Sequence, residues 1–144
     1  MADSITVKSA KTEDLDTPTR DAIVRLCVAA HQEDDFQNLF AYIPSGGMHF
    51  LAFREELLVS HALVTTRWLQ PDDRAVLKTA YVDAVATLPE LQGLGFGSKV
   101  MRRLASEVDA EFVIACLQTD EVAFYEQVGW QLWPGPLGGR SEQG

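Results

Sequence analysis

Cross-linking chemistry is scarce in this chain. Only two of its 144 residues are cysteine, Cys27 and Cys116, and each lies in an apolar run with no metal-ligating company nearby in sequence. Two buried thiols suit a reducing compartment better than a disulfide framework, and a chain of this length can bury roughly two-thirds of its unfolded surface without a staple. The three histidines, His31, His49 and His61, share no ligand spacing, so no metal is expected. His49 and His61 fall in strand-like runs, where a satisfied, half-buried imidazole is commoner than a ligand. No apolar run approaches the ~20 residues of a membrane helix, and the opening MADSITVKSAKTED holds no apolar signal core. A soluble, cytoplasmic protein with no membrane partner is expected. Positive charge is also short, with 12 Lys and Arg against 21 Asp and Glu, net −9. Nucleic acid requires the opposite balance, whereas a small cationic amine would be favoured, although acidity also serves solubility alone. No internal repeat occurs, and residues 1–144 read as one domain.

What the chain does have is a strand, a glycine loop and a helix in succession. Residues 81–87 alternate and are rich in β-branched side chains, Pro89 turns the chain, and Gln92, Gly93, Leu94, Gly95, Phe96 and Gly97 run into an amphipathic segment. Val100, Met101, Leu104 and Val108 share one helical face, with Lys99, Arg102, Arg103, Ser106 and Glu107 pointing away. The first N–H groups of a helix are unpaired and carry partial positive charge, and glycine lets an anion approach them. Phosphate cradle and plain turn are both open on spacing alone. The Lys-Ser/Thr ending of a P-loop is missing, and the glycines are too close together for GxGxxG, so nucleotide hydrolysis and dinucleotide redox chemistry lose ground.

Around that centre the order of elements follows from periodicity and punctuation. Residues 5–8 predict a strand; Thr17 as cap with Pro18 at the first helical position predicts a helix to His31, burying Ile23, Cys27 and Ala30. Phe36, Leu39, Phe40 and Ile43 give a short helical pattern closed by Pro44. Residues 48–54 and 57–68 form a hairpin around Glu55 and Glu56, and 76–87 is a third antiparallel strand. Residues 111–117 read as a strand buried on both faces, 120–128 as a helix, and 130–133 as the start of a strand stopped by Pro134. Under period two Tyr81, Asp83 and Val85 share one face. Trp68, Trp130 and Trp133 are expected to pack in core and sheet. The last eight residues have no core-forming pattern and are expected to be disordered.

Two segments together resemble the GNAT N-acetyltransferases. Gln92-x-x-Gly95-x-Gly97 after a strand is similar to their Gln/Arg-x-x-Gly-x-Gly/Ala loop, and Phe124-Tyr125-Glu126-Gln127-Val128-Gly129-Trp130 to their Phe-Tyr-x-x-x-Gly-Phe segment. The resemblance implies an α/β (α+β) GNAT fold, a mixed central sheet of about six strands flanked by about four helices. The family continues with another strand after the position of Trp130, so a C-terminally shortened chain with an open sheet edge is expected. Within the superfamily, residues 15–20, Gly46-Gly47-Met48-His49, residues 81–86 and Gly129-Trp130 with the later Trp133 look like the aminoglycoside 2′-N-acetyltransferases. Asp83 stands where those carry glutamate, and Phe40 where they carry an acidic substrate contact.

That resemblance implies acetyl transfer from acetyl-CoA to the 2′-amine of an aminoglycoside, and hence antibiotic resistance, and assigns the parts. Val85, Ala86 and Thr87 would pair with pantetheine, while Gln92, Gly93, Leu94, Gly95, Phe96, Gly97 and Ser98 would cradle the pyrophosphate. Asp83 would be the base, through a water because its side chain is short, and Tyr125 the acid for the departing thiolate. Asp35, Asp83 and Cys116 would meet the acceptor, with Asp34 a further candidate, although 33–35 also reads as a solvated acidic run. Lys99, Arg102 and Arg103 would either approach phosphate or form a solvated face. The resemblance also implies that two copies can pair. Alternatives are a GNAT enzyme acting on another small amine or a peptide N-terminus, and a shortened, inactive CoA-binding domain.

Overall fold

The computed structural model describes residues 5–108, 112, 114–119 and 121–132; the disorder expected of the last eight residues, and Trp133 with the prolines after it, lie outside them. The described elements are β1 (Ile5–Lys11), α1 (Thr17–His31), α2 (Leu39–Tyr42), β2 (Met48–Arg54), β3 (Leu57–Leu69), β4 (Leu77–Thr87), α3 (Phe96–Val108), β5 (Ile114–Cys116) and α4 (Val122–Gln127). One mixed sheet runs β1-β2-β3-β4-β5, antiparallel up to β4 and parallel between β4 and β5. The fold is the α+β arrangement expected, with five strands instead of about six. Residues 130–132 join no strand: Gly129 takes φ +101 and the Trp130 N–H turns back to Tyr125 O at 2.9 Å, capping α4. Among the described residues no helix is long and apolar enough to cross a membrane.

Local chemistry accounts for most boundaries. At the start of α1 the cap is Asp16, one residue earlier than expected: its carboxylate accepts the Thr19 N–H at 2.9 Å, and a full negative charge there also suits the helix dipole. Gln32, in the left-handed region at φ 55, ends the helix. In place of one short helix, 34–43 forms a 3-10 turn, Asp34–Asn38, and then α2.

Two cores sandwich the sheet. Against α3, which buries Val100, Met101, Leu104 and Val108 as its spacing predicts, lie Phe50, Val59, Val64, Ala80 and Val82. Against α1 and α2 lie Leu51, Leu63, Ala84 and Ala86, with Ile23, Leu26, Cys27 and Leu39. Two expected packings do not hold. Strand β5 is the last in the sheet order and Ile114 is 39% exposed, so this strand is not buried on both faces. Trp68 is 65% exposed near the end of the β3–β4 hairpin, whereas Trp130 does pack against the α3 core.

The two cores expose an irregularity in β4. Leu63 pairs with Asp83 but His61 pairs with Ala86, so one residue of β3 faces two of β4. This is a β-bulge, and Ala84 takes it up with φ +50. Side-chain parity inverts there: Ala80 and Val82 face α3, Ala84 and Ala86 face α1, and Val85 packs with the α3 cluster. The expectation that Tyr81, Asp83 and Val85 share a face is therefore corrected, because strict period two fails at a bulge.

Candidate active site

Strands β4 and β5 are joined over Thr79↔Ile114, Ala80↔Ala115 and Tyr81↔Cys116 and part beyond that point. Leu88 N–H bonds Val59 O on β3, and the Ser60 hydroxyl donates to Ala86 O at 3.1 Å, so alternate residues Val85 and Thr87 turn their main-chain groups to the opposite, parted edge. Two side chains reach that edge. His31 Nε2 lies 2.6 Å from Val85 O and, since a carbonyl only accepts, donates to it; Gln92 Nε2 donates to Thr87 O at 3.2 Å.

The glycine loop closes the end of this edge. Gly93 and Gly95 take φ +84 and +91, which a residue with a Cβ rarely adopts, and the Lys99 N–H bonds Gly95 O at 3.1 Å to close the first turn of α3. A Cβ on Gly97 would stand 3.3 Å from Thr87 Oγ1 and 3.4 Å from Phe124 Cζ, so glycine lets α3 press against β4 and α4 together. The N–H groups of Phe96, Gly97 and Ser98 are the first of a 13-residue helix and so lie outside its internal ladder. Main-chain donors at a helix start beside an open strand edge fit a phosphate-bearing, amide-bearing cofactor such as CoA. Arg103 is engaged elsewhere, pairing with Glu107 at 2.7 Å and donating to Val7 O at 3.2 Å.

Tyr125 stands next to Phe124 on α4, 7% exposed, its ring edge-on to Phe124 at 4.9 Å and to Trp130 at 6.3 Å. Burial first, and then Glu121, pushes its phenol up to about 12. It is thus a protonated donor at neutral pH.

Acidity gathers on the α1 side. An open depression of about 400 Å³ is lined by Glu33, Asp35, Phe36, Asn38 and Tyr42. Burial, followed by the charges of Asp83, the Cys27 thiol, Asp35 and Glu33, raises the Tyr42 phenol above its usual value. Asp35 therefore lines the depression beside Tyr42 and the Asp83 charge acts on the same phenol, while neither Asp83 nor Asp34 lines the depression. Asp83 Oδ1 accepts the Ala84 N–H at 2.7 Å, which commits one carboxylate oxygen and leaves the other. Cys116 pairs with Tyr81 where the strands part, and burial raises its thiol above the usual range. Cys27, also buried, is pushed up to about 12 by burial and then Asp83, so its thiol stays protonated and unreactive.

Sequence reasoning missed the histidines here. His49 and His61, expected half-buried and independent, have no exposed surface and bond each other, His49 Nδ1 to His61 Nε2 at 2.8 Å. The available signal was that they sit in adjacent hairpin strands, on positions that the register of β2 and β3 makes diagonal neighbours.

Comparison with known proteins matches residues 6–133 to the acetyltransferase (GNAT) domain. An aminoglycoside 2′-N-acetyltransferase of Mycolicibacterium fortuitum is 32% identical over 133 residues, 91% of this chain and 67% of that protein. Among solved structures, an aminoglycoside acetyltransferase from an uncultured soil metagenomic sample, in complex with trehalose, superposes with TM-score 0.72 at 17% identity, covering 95% of each chain. The glucosamine-6-phosphate N-acetyltransferase of Arabidopsis thaliana does so with TM-score 0.63 at 15% identity, covering 94% of this chain and 98% of that one. At those identities the two structures establish the fold.

Proposed function

The chain belongs to the GNAT acetyltransferase family, and on that premise we propose that it moves the acetyl group of acetyl-CoA to the 2′-amine of an aminoglycoside, the reaction of a resistance enzyme. The observation that carries the acceptor class is the depression bearing Glu33 and Asp35, where the charge of Asp83 also acts on the lining Tyr42 phenol. Several carboxylates around one opening favour a molecule with several ammonium groups. Similarity to the aminoglycoside 2′-N-acetyltransferase of Mycolicibacterium fortuitum supports the 2′ position.

When bound, acetyl-CoA supplies a thioester carbonyl as electrophile. The residues of the chain would divide the remaining work. Val85 and Thr87 would present the open edge to the pantetheine amides, and the N–H of Val85 would bond the thioester oxygen as charge develops on it. The loop from Gln92 through Ser98 holds the pyrophosphate by main-chain N–H groups. Asp83, one oxygen fixed by the Ala84 N–H, takes the ammonium proton through a water with the other. Tyr125 keeps its proton at neutral pH and delivers it to the thiolate. Transfer is direct within a ternary complex, which the raised values of both thiols support.

A second reading, another small amine, is favoured by Phe40. Its ring lies 5.7 Å from His49 and 5.0 Å from the Arg20 guanidinium, a packing role in place of an acidic acceptor contact. Acetyl-CoA-dependent CoA release with two matched aminoglycosides, one carrying a 2′-amine and one a 2′-hydroxyl, separates the readings. Mass addition of one acetyl group to the 2′-amino compound alone is expected. Turnover of both, or of neither while CoA binds, would remove the 2′-amine assignment.

A further inference from the structure

Nothing in the proposed transfer uses the two imidazoles at the centre of the sheet, yet their bonds define a direction. His61 Nδ1 faces the carbonyl oxygen of Ala84 at 2.8 Å, and a carbonyl only accepts, so Nδ1 carries the hydrogen. His61 Nε2 then bears a lone pair, and His49 Nδ1, 2.8 Å away, must donate to it. That leaves His49 Nε2 as the acceptor for the Thr12 hydroxyl at 2.8 Å. The same hydroxyl lies 3.3 Å from Gly47 O, but that carbonyl already accepts the Thr12 N–H at 2.9 Å, and the shorter contact to His49 Nε2 takes the hydrogen. Every hydrogen points one way, from Thr12 through His49 and His61 to Ala84.

The chain ends on the peptide that most needs holding. Ala84 is in the left-handed region at φ +50, which its Cβ disfavours. Its N–H is taken by Asp83 Oδ1 and its carbonyl by His61. Phe40 stacks on His49, and Gly47 is tight enough against the Thr12 hydroxyl that a Cβ there would stand 2.9 Å from it. A chain of this kind works only with neutral rings. Burial first, and for His49 also His61 and Arg20, lowers the two histidines to about 3 and about 4, so both are neutral at physiological pH.

We propose that His49 and His61 are positioning residues: the one-way hydrogen-bond chain from Thr12 fixes the Ala84 peptide in the bulge, and through it the Asp83 carboxylate. The inference rests on the reading of Asp83 as the acceptor-side base.

The test has two arms. Long-range proton–nitrogen correlation spectra of the full chain with 15N-labelled histidine, near neutral pH, are expected to show both rings protonated at Nδ1 and bare at Nε2. An Nε2–H form of either ring overturns the proposal, and this arm needs no substrate, so it decides even if the acceptor assignment fails. In the second arm, His61→Leu removes the imidazole donor to Ala84 O, leaving only the weak Cys27 Sγ contact at 3.8 Å, and His61→Asn keeps an N–H near the same place. The leucine variant is expected to lose on the order of 10- to 100-fold in kcat, as misplacing a catalytic group does, with KM for acetyl-CoA unchanged and asparagine restoring most of the rate. In an Asp83→Asn background the same change is expected to add no further loss. Independent, multiplying losses, or an equal fall in acetyl-CoA affinity, would reduce His61 to packing and overturn the proposal. Should His61→Leu fail to fold, Thr12→Val, which removes the first donor at nearly constant shape, enters the same cycle.

Discussion

Acidification should unfold this protein in a window set by the histidine pair. In the folded state His49 and His61 sit at about 3 and about 4, against an ordinary 6.5. Folded-state values below the unfolded ones mean that the unfolded chain binds more protons, so stability is full above pH 6.5 and is lost as pH falls toward 4. At pH 5 each imidazole of the unfolded chain lies 1.5 units below its midpoint, a cost of about 2 kcal/mol per ring and about 4 kcal/mol for the pair. Against a typical total of about 5–15 kcal/mol, that is a large share. The carboxylates shifted by hydrogen bonds leave the upper part of the window clear. Glu13, bonded by the Gly46 N–H, and Asp16, bonded by Thr19, lie below 4.5 and 3.8, so their contributions are lost only under those values. Urea unfolding followed by circular dichroism at pH 7.5, 6 and 5, at constant ionic strength, reads the effect. The midpoint is expected to fall steeply below pH 6.5 at constant m, and a His49→Gln/His61→Asn double variant is expected to lose most of that slope whatever its absolute stability. A midpoint unchanged between pH 7.5 and 5 would refute the neutral, buried pair.

Four substitutions address the site. Asp83→Asn keeps an acceptor for the Ala84 N–H but cannot take a proton, and is expected to lower kcat on the order of 10²-fold at neutral pH with KM for acetyl-CoA unchanged; an unaltered rate removes Asp83 as base. For Tyr125→Phe the chemical step should slow at least about tenfold in single-turnover measurements while CoA affinity holds, whereas equal loss of CoA binding would assign the ring to packing. Asp35→Ala should raise KM for a polyamine acceptor about 3- to 5-fold, less at high salt, without touching acetyl-CoA. Gly95→Ala forces a Cβ into φ +91, a strain of about 1–2 kcal/mol present with or without CoA, and urea unfolding should show roughly that loss of stability.

The parts of the site written locally were legible in the sequence, and the parts that depend on register were not. Helix α3 and its loop follow from a four-residue apolar stripe and glycines whose φ values exclude most other residues. The Asp83 bulge carries no such mark, since Ala84 is neither glycine nor asparagine and its conformation is imposed by bonds from Asp83 and from β3. His49 and His61 are likewise ordinary strand positions until β2 and β3 are paired. The shift of the α1 cap from Thr17 to Asp16 came from two adjacent cap-forming residues, between which only the bond to Thr19 decides. Strand β5 was overestimated because an apolar run does not say how many neighbours its strand will find.

The parity inversion in β4 allows one change in length that an unbroken strand would not allow. Val82 and Ala84 are both even-numbered, yet they belong to different cores. Deleting Ala84 would restore an unbroken alternation and still leave Val85 toward α3 and Ala86 toward α1, with the β3 register in place on both sides. The bulge is thus one removable residue: its loss would keep the lining of both cores except for Ala84 itself, and would change only the peptide that stands at the proposed site.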